Sequence, residues 1–314
     1  MIKNISIENF KSIKNLNFEA RRVNIFIGEP NTGKSNVLEA LALFSLSHNF
    51  DFVNQKIRLE DFVRFKDTIN LFHRNNINKS IVVKADNQTL IADKGIINEY
   101  DSFGNNNWKE SFFKENRNYF KYYRFKVLSS YQDEFLDYLL PPFGNNLYIQ
   151  ILTNQALREI VAAILKDKGF RLNLETKGSN VNVSEEIDDV IYTYPFDSLS
   201  DTLQRVIFYL AAMLSNKNSA LIFEEPESHI FPFYNQYLAE TIGLDEESGN
   251  QYFIATHNPY FLGSIAQKTK IEDLAVFITY MENHETKLRQ LREDEYPELF
   301  DFDIFYNLDQ FIEV

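Results

Sequence analysis

The chain has 314 residues, 44% of them hydrophobic and 25% charged, which are ordinary proportions for a globular protein and exclude a disordered tail, a fibrous repeat and a disulfide scaffold. It has no cysteine, so thiol catalysis, disulfides and thiolate-bound zinc are excluded, and its length buries enough apolar surface to fold without such staples. A net charge of −13 argues against attraction to nucleic acid over the whole surface and leaves only a local basic patch for such contact.

In chain order, residues 1–6 alternate apolar and polar and lack the apolar core of a signal peptide. No apolar run approaches the roughly 18 residues of a membrane span, so the expected setting is cytoplasmic, without membrane contact. Residues 4–8 and 15–19 alternate as strands. Residues 23–27 form a short apolar run, read as a buried strand, which ends at Gly28. A loop follows, and a helix begins near Lys34. Residues 50–85 are mixed and end in a strand at 80–84, whereas 86–130 are polar, asparagine-rich and aromatic without a clear period. Pro141-Pro142-Phe143-Gly144-Asn145 breaks the chain. A helix is expected over 154–165, a strand over 170–174 and a loop over 176–186. Leu203, Val206, Ile207, Leu210 and Met213 have helical spacing. Residues 220–223 and 252–255 are two more buried-strand runs, and 272–291 reads as two strands joined by a turn at 282–285. There is no internal repeat and no long heptad run.

Gly28-Glu29-Pro30-Asn31-Thr32-Gly33-Lys34-Ser35 fits G-x-x-x-x-G-K-[ST] at every fixed position, between a buried strand and a helix. Glycines let the backbone curl so that successive N–H groups face phosphate oxygens, and the helix N-terminus adds its positive end. In this chemistry Lys34 reaches the β and γ phosphates, and the Ser35 hydroxyl is a hard ligand for Mg²⁺.

The run 220–223 leads straight into Glu224-Glu225-Pro226-Glu227. Two acids ending a buried strand are costly unless they meet a cation or do chemistry. Beside a phosphate loop, the first stands near the metal and the second orients the attacking water. Pro226 stops the strand. Ala255-Thr256-His257-Asn258-Pro259 also follows an apolar strand, and a histidine there sits where open α/β sheets bind ligands.

These elements resemble the ABC-type ATPase heads of the SMC–RecF–OLD group (OLD: overcoming lysogenization defect), and most of all OLD-like AAA-family ATPases of phage-defence systems, here without the nuclease domain. Four segments carry the resemblance: IENFKSIKNL at 7–16, GEPNTGKSNVLEA at 28–40, IFEEPESHIFP at 222–232 and ATHNP at 255–259. It implies an α/β P-loop NTPase of ABC-ATPase type, with a mixed, largely parallel central sheet, an N-terminal antiparallel β subdomain and an inserted helical and aromatic lobe. Residues 1–85 and 191–314 would form the head and 86–190 the lobe. The resemblance further implies that Gly28, Asn31, Thr32, Gly33, Lys34, Ser35 and Asn36 bind ATP, and that Ser35 and Glu224 serve Mg²⁺. Glu224 would hold the Walker B position, Glu225 would be the catalytic glutamate and His257 the γ-phosphate switch. Such heads form a homodimer or higher homo-oligomer around two sandwiched ATP molecules, each site completed by the other subunit's signature serine. The candidate here is Ser200, a good helix N-cap, although Asp201 and Thr202 stand where the pattern has glycines. Glu224 replaces the commoner aspartate, and Gln55 is the candidate for the Q-loop glutamine. Too few residues separate Lys34 from Glu224 for coiled-coil arms, and too few follow His257 for a nuclease domain, so a separate effector protein is expected.

Residues 108–126 interleave rings with six basic residues and suit DNA contact with stacking, or else an insert whose rings pack its own core. From Glu293 onward there are eight acids and no base, mixed with aromatics, which suits either docking on a basic partner or a packed end with a solvated acidic face. The function expected is an ATP-gated dimerisation switch in DNA maintenance or anti-phage defence. The alternatives are a nucleotide-bound, non-hydrolysing scaffold and a RecF-like DNA repair ATPase.

Overall fold

The computed structural model describes residues 1–46, 58–95, 119–300 and 304–312. These divide into two compact units, one of residues 1–122, 218–225 and 239–314 and one of residues 123–217 and 226–238.

The first unit is built on two sheets. Strands β1 (Asn4–Phe10), β2 (Ile13–Glu19), β4 (Ile81–Ala85) and β5 (Gln88–Ala92) form an antiparallel sheet in the order β2-β1-β4-β5. The second sheet runs β13-β12-β3-β11-β10-β6, from β13 (Glu285–Gln290), β12 (Leu274–Glu282), β3 (Val23–Gly28), β11 (Gln251–Ala255), β10 (Ala220–Glu224) and β6 (Phe120–Tyr123). β12, β3, β11 and β10 are mutually parallel, and β13 returns antiparallel to β12. The parallel strands are covered on both faces, which is why they read as apolar runs without alternation. Helix α1 (Lys34–Ser45) packs against β1, β3, β10 and β11 and buries every residue from Val37 to Ser45. Aromatic rings fill the core: Phe18, Phe26 and Phe277 lie 5.1–5.7 Å apart, and Phe120 stacks on Phe44 at 4.9 Å. Each such ring contributes about 1.5–3 kcal/mol by burial. The architecture is thus the α/β class with a mixed central sheet and an N-terminal antiparallel sheet.

The second unit holds α2 (Leu147–Thr153), α3 (Gln155–Asp167), α4 (Asp201–Ser215) and an antiparallel sheet of β7 (Arg171–Glu175), β8 (Asn180–Ile187) and β9 (Val190–Pro195). Asn154 caps α3 by accepting from Leu157 N–H at 3.1 Å. Helices α5 (Pro232–Leu244), α6 (Pro259–Lys268) and α7 (Leu308–Ile312), with several short 3-10 turns, complete the described elements.

Two expectations need correction, and for two stretches left between alternatives the described residues favour packing. The stretch 176–186, expected as a loop, contains most of β8, where Val181 and Val183 bury one face. The compact second unit begins at Tyr123 and not near residue 86, because β5 pairs with β4 and belongs to the N-terminal sheet. In the ring-and-base stretch, residues 108–118 lie outside the described residues. Of the remainder, Phe120, Lys121, Tyr122 and Tyr123 are buried in β6, so these rings and this lysine are core and present no stacking surface. Lastly, the described residues of the acidic end take the packed alternative: Tyr296, Leu299, Ile304, Leu308 and Phe311 pack inward, and of its acids Glu295 is buried and paired with Arg289 instead of solvated.

Candidate nucleotide site

The register of the central sheet gathers the candidate residues. Glu224 on β10 is level with Ala255 on β11, and Ala255 with Phe26 on β3. The chain therefore leaves all three strands at one sheet end, through Glu225, through Thr256-His257 and through Gly28 into the phosphate loop. This is the carboxyl end of parallel strands, where open α/β sheets place ligands.

The loop's backbone is built for close approach. Asn31 has φ 64° and Gly33 has φ 102°, the left-handed region. A Cβ on Gly33 would lie 2.0 Å from Thr286 Oγ1, and one on Gly28 would lie 2.4 Å from the Thr279 carbonyl oxygen. Threonines of β12 and β13 brace the loop: Thr286 Oγ1 donates to Thr32 O at 3.0 Å, and the Thr32 and Thr279 hydroxyls share a bond of 2.6 Å. Gly33 caps α1 without a side-chain acceptor, so no side chain caps the helix's first N–H groups. Lys34 Nζ lies across the loop, donating to Gly28 O at 2.7 Å and Glu29 O at 2.8 Å. Burial pushes its amine down to about 8, against the pull of Glu225 and Glu29.

A cavity of about 300 Å³ opens over this loop, lined by Lys11, Ser12, Asn31, Gly33, Lys34, Ser35, Asn36, Glu39, Arg64 and His257. Asn36 Nδ2 donates to Ser12 Oγ at 2.6 Å, which ties the helix start to the turn after β1.

The acids are arranged unequally. Glu225 has a left-handed φ of 44°, an uncommon conformation for a residue with a side chain. Its N–H donates to Ala255 O at 2.9 Å and holds the turn. Its carboxylate lies 3.3 Å from His257 Nε2, and both side chains are about 40% exposed. Burial, then the Lys34 ammonium, hold His257 below the usual imidazole range, while Glu225 pulls the other way. Glu224 is more buried. Its carboxylate accepts from Arg64 Nη2 and, at 3.3 Å, from Tyr122 Oη. Arg64 Nε also donates at 2.9 Å to Glu39, a buried acid of α1 that pairs with Lys11 as well. Burial opposes the charge of Arg64, yet the two carboxylates raise its pKa above the ordinary value.

Sequence reasoning missed Lys11, Ser12, Glu39, Arg64, Tyr122 and the two threonines. Glu39 carried a legible signal, because an acid inside the apolar run Val37-Leu38-Glu39-Ala40-Leu41 requires a cation. Arg64 carried none, since its partner Glu224 is 160 positions away. Ser200 belongs to the second unit. It caps α4, accepting from Leu203 N–H at 3.4 Å, while Arg205 answers the Asp201 charge at 2.7 Å. Gln55 lies outside the described residues. Among the described residues no cluster of three or more His, Asp or Glu is set as metal ligands, and no helix is long and apolar enough to cross a membrane.

Comparison with known proteins adds a family. Residues 45–263 match the model described as "AAA domain, putative AbiEii toxin, Type IV TA system". The chain belongs to this AAA domain family. The phosphate loop lies just ahead of the matched segment. An uncharacterized protein of Methanocaldococcus jannaschii is 34% identical over 113 residues, which cover 34% of this chain and 51% of that protein. The chain thus spans about half the length of that relative. An "ATP/GTP phosphatase" of Helicobacter pylori is 21% identical over an alignment covering 94% of this chain and 93% of that protein. The SMC head domain of Thermotoga maritima aligns over 93% of this chain and 99% of its own, with TM-score 0.46 and 11% identity. Membership in the AAA family and the strand–loop–helix at Gly28 to Ser45 make this a P-loop nucleotide-binding fold.

Proposed function

We propose that the protein binds and hydrolyses ATP with Mg²⁺ and works as an ATP-gated switch of the OLD-like kind. The observation that carries this reading is the meeting of the phosphate loop, Glu224, Glu225 and His257 at one end of three adjacent parallel strands. The cradle fits a polyphosphate: Asn31 and Gly33 take left-handed backbone that curls the loop, α1 starts without a side-chain cap, and Lys34 and Arg64 line the cavity. The site also fits Mg²⁺, which keeps several waters and needs only one or two protein oxygens beside phosphate. Ser35 and Glu224 would hold it, and it would supply charge neutralisation on the phosphates.

The chain's own residues then divide the work. Lys34 and the loop amides bind phosphate, and Gly28, Asn31, Thr32, Gly33 and Asn36 shape the loop. Glu225 orients a water and accepts its proton, steadied by its strained turn. His257 is held neutral by burial and Lys34, so it can donate or accept one hydrogen bond beside Glu225 without adding charge. The phosphatase name of the Helicobacter relative supports hydrolysis. The type IV toxin–antitoxin description of the family supports a defence role with a separately encoded partner.

In the test, Lys34→Ala is expected to lose ATP binding and Glu225→Gln to bind ATP while turnover falls about 10²–10³-fold, the size of a lost general base. Binding would be read with a fluorescent ATP analogue and turnover by phosphate release. Equal phosphate release from wild type and Lys34→Ala would favour the non-hydrolysing scaffold, which the engagement of Glu224 by Arg64 makes the second reading.

A further inference from the structure

Arg64 makes two contacts at the mouth of the cavity, and Arg64 itself lies in none of the motifs read from the sequence. Its Nε is pinned to Glu39, and its Nη2 reaches Glu224, the acid at the Walker B position. Glu39 is only 2% exposed and is fixed on α1, so it serves as a pivot. A second cation, Lys11, bonds the other oxygen of Glu39. Lys11 is itself set in place by its left-handed φ of 50°, by its N–H to Leu71 O at 2.9 Å and by His73 Nδ1 on its carbonyl at 2.9 Å. Within this cluster, two acids, Glu39 and Glu224, therefore face two cations, Lys11 and Arg64.

That balance has a consequence for a divalent ion. A second cation beside Glu224 would meet the guanidinium at ion-pair distance, where the repulsion is strong although Arg64 is half exposed and solvent screens part of it. A polyphosphate changes the sum, because it brings more negative charge than the metal brings positive. The guanidinium could then leave Glu224 by turning about its Glu39 anchor toward phosphates bound in the cavity that Arg64 already lines.

We infer that Arg64 is a positioning residue that holds Glu224 as its counter-ion and admits a divalent cation to that carboxylate only together with nucleotide. The inference rests on the nucleotide reading of the site for the position of the metal. Glu39 sets the pivot, and Arg64 controls access of the cation through its hold on Glu224.

The experiment is Mn²⁺ binding to nucleotide-free protein, followed by the paramagnetic signal of the free ion. Wild type is expected to bind Mn²⁺ weakly. Arg64→Gln should tighten that binding by about tenfold or more, since it removes one full positive charge from contact with the ligand carboxylate while leaving Glu39 paired with Lys11. The double variant Arg64→Gln/Glu224→Gln should lose the gain, and Arg64→Lys, which restores a cation, should bind as weakly as wild type. A merely structural role for Arg64 would move thermal stability without creating a metal site that depends on Glu224. Unchanged Mn²⁺ affinity in a folded Arg64→Gln protein would overturn the inference, as would a gain that survives loss of Glu224. Neither result depends on ATP hydrolysis, so the nucleotide reading stands or falls separately, on ATP binding by wild type against Lys34→Ala.

Discussion

Gly33 has no room for a methyl group. The atom that would clash is the hydroxyl of Thr286, and that hydroxyl is committed to Thr32 O and Ser12 Oγ, so it cannot step aside cheaply. Its left-handed backbone adds about 1–2 kcal/mol for any residue with a Cβ. Gly33→Ala is therefore expected to weaken binding of a fluorescent ATP analogue more than tenfold and to lower the melting temperature by several degrees. Gly28→Ala meets the Thr279 carbonyl in the same way. At this scale the sequence was most legible where geometry leaves one option. The loop needs glycine at fixed places and a lysine after the second, and these are local facts. The ion pairs of Arg64 were not legible, because nothing in the residues around position 64 specifies an acid on β10.

The elements were legible in proportion to their burial. Strands β3, β10 and β11 are covered on both faces and show as unbroken apolar runs, each ending abruptly in polar residues. The hairpin of β12 and β13 announced itself by its turn, where Asn283 and His284 take left-handed φ values of 52° and 61°. β9 is exposed along its whole length and β8 buries only part of one face, so their pattern had little core to answer to. Yet Val181 and Val183, with Asp188-Asp189 in left-handed conformation at the turn, form a hairpin signal that could have been read. β6 misled in the other direction. Its rings and Lys121 resemble a binding stretch, but Lys121 is buried with its ammonium on Ser219 Oγ at 3.0 Å. Burial lowers its pKa from 10.5 to about 7. Between those values the unfolded chain carries a proton that the folded chain does not, so stability rises with pH, by up to about 1.4 kcal/mol per unit. Below about 7 both states are protonated, and above 10.5 both are neutral, so the contribution is flat outside the window. Lys121→Met is expected to be more stable at pH 7 and to flatten this rise, as read from urea unfolding of both proteins at about pH 7, 8.5 and 10.

For the molecule as a whole, the proposed switch predicts a change of assembly. Glu225→Gln should stay loaded with Mg-ATP, and its solution mass by light scattering is expected to double only when Mg-ATP is present. A mass that does not respond to nucleotide would remove the ATP-gated dimer and leave the scaffold reading. Should the mass double, Ser200→Arg is the next variant, expected to keep ATP binding and to lose the doubling. The sequence by itself determined the phosphate loop, the acids after β10, the histidine after β11 and the α/β class, because each depends on a short stretch of backbone and its immediate burial. Only the tertiary structure decided that these stretches meet at one sheet end, that Glu39 anchors Lys11 and Arg64, and that the rings of β6 face the core. Those outcomes depend on strand order and register between segments far apart in the chain, and charge pairing across such distances leaves no periodic or local trace in the residues themselves.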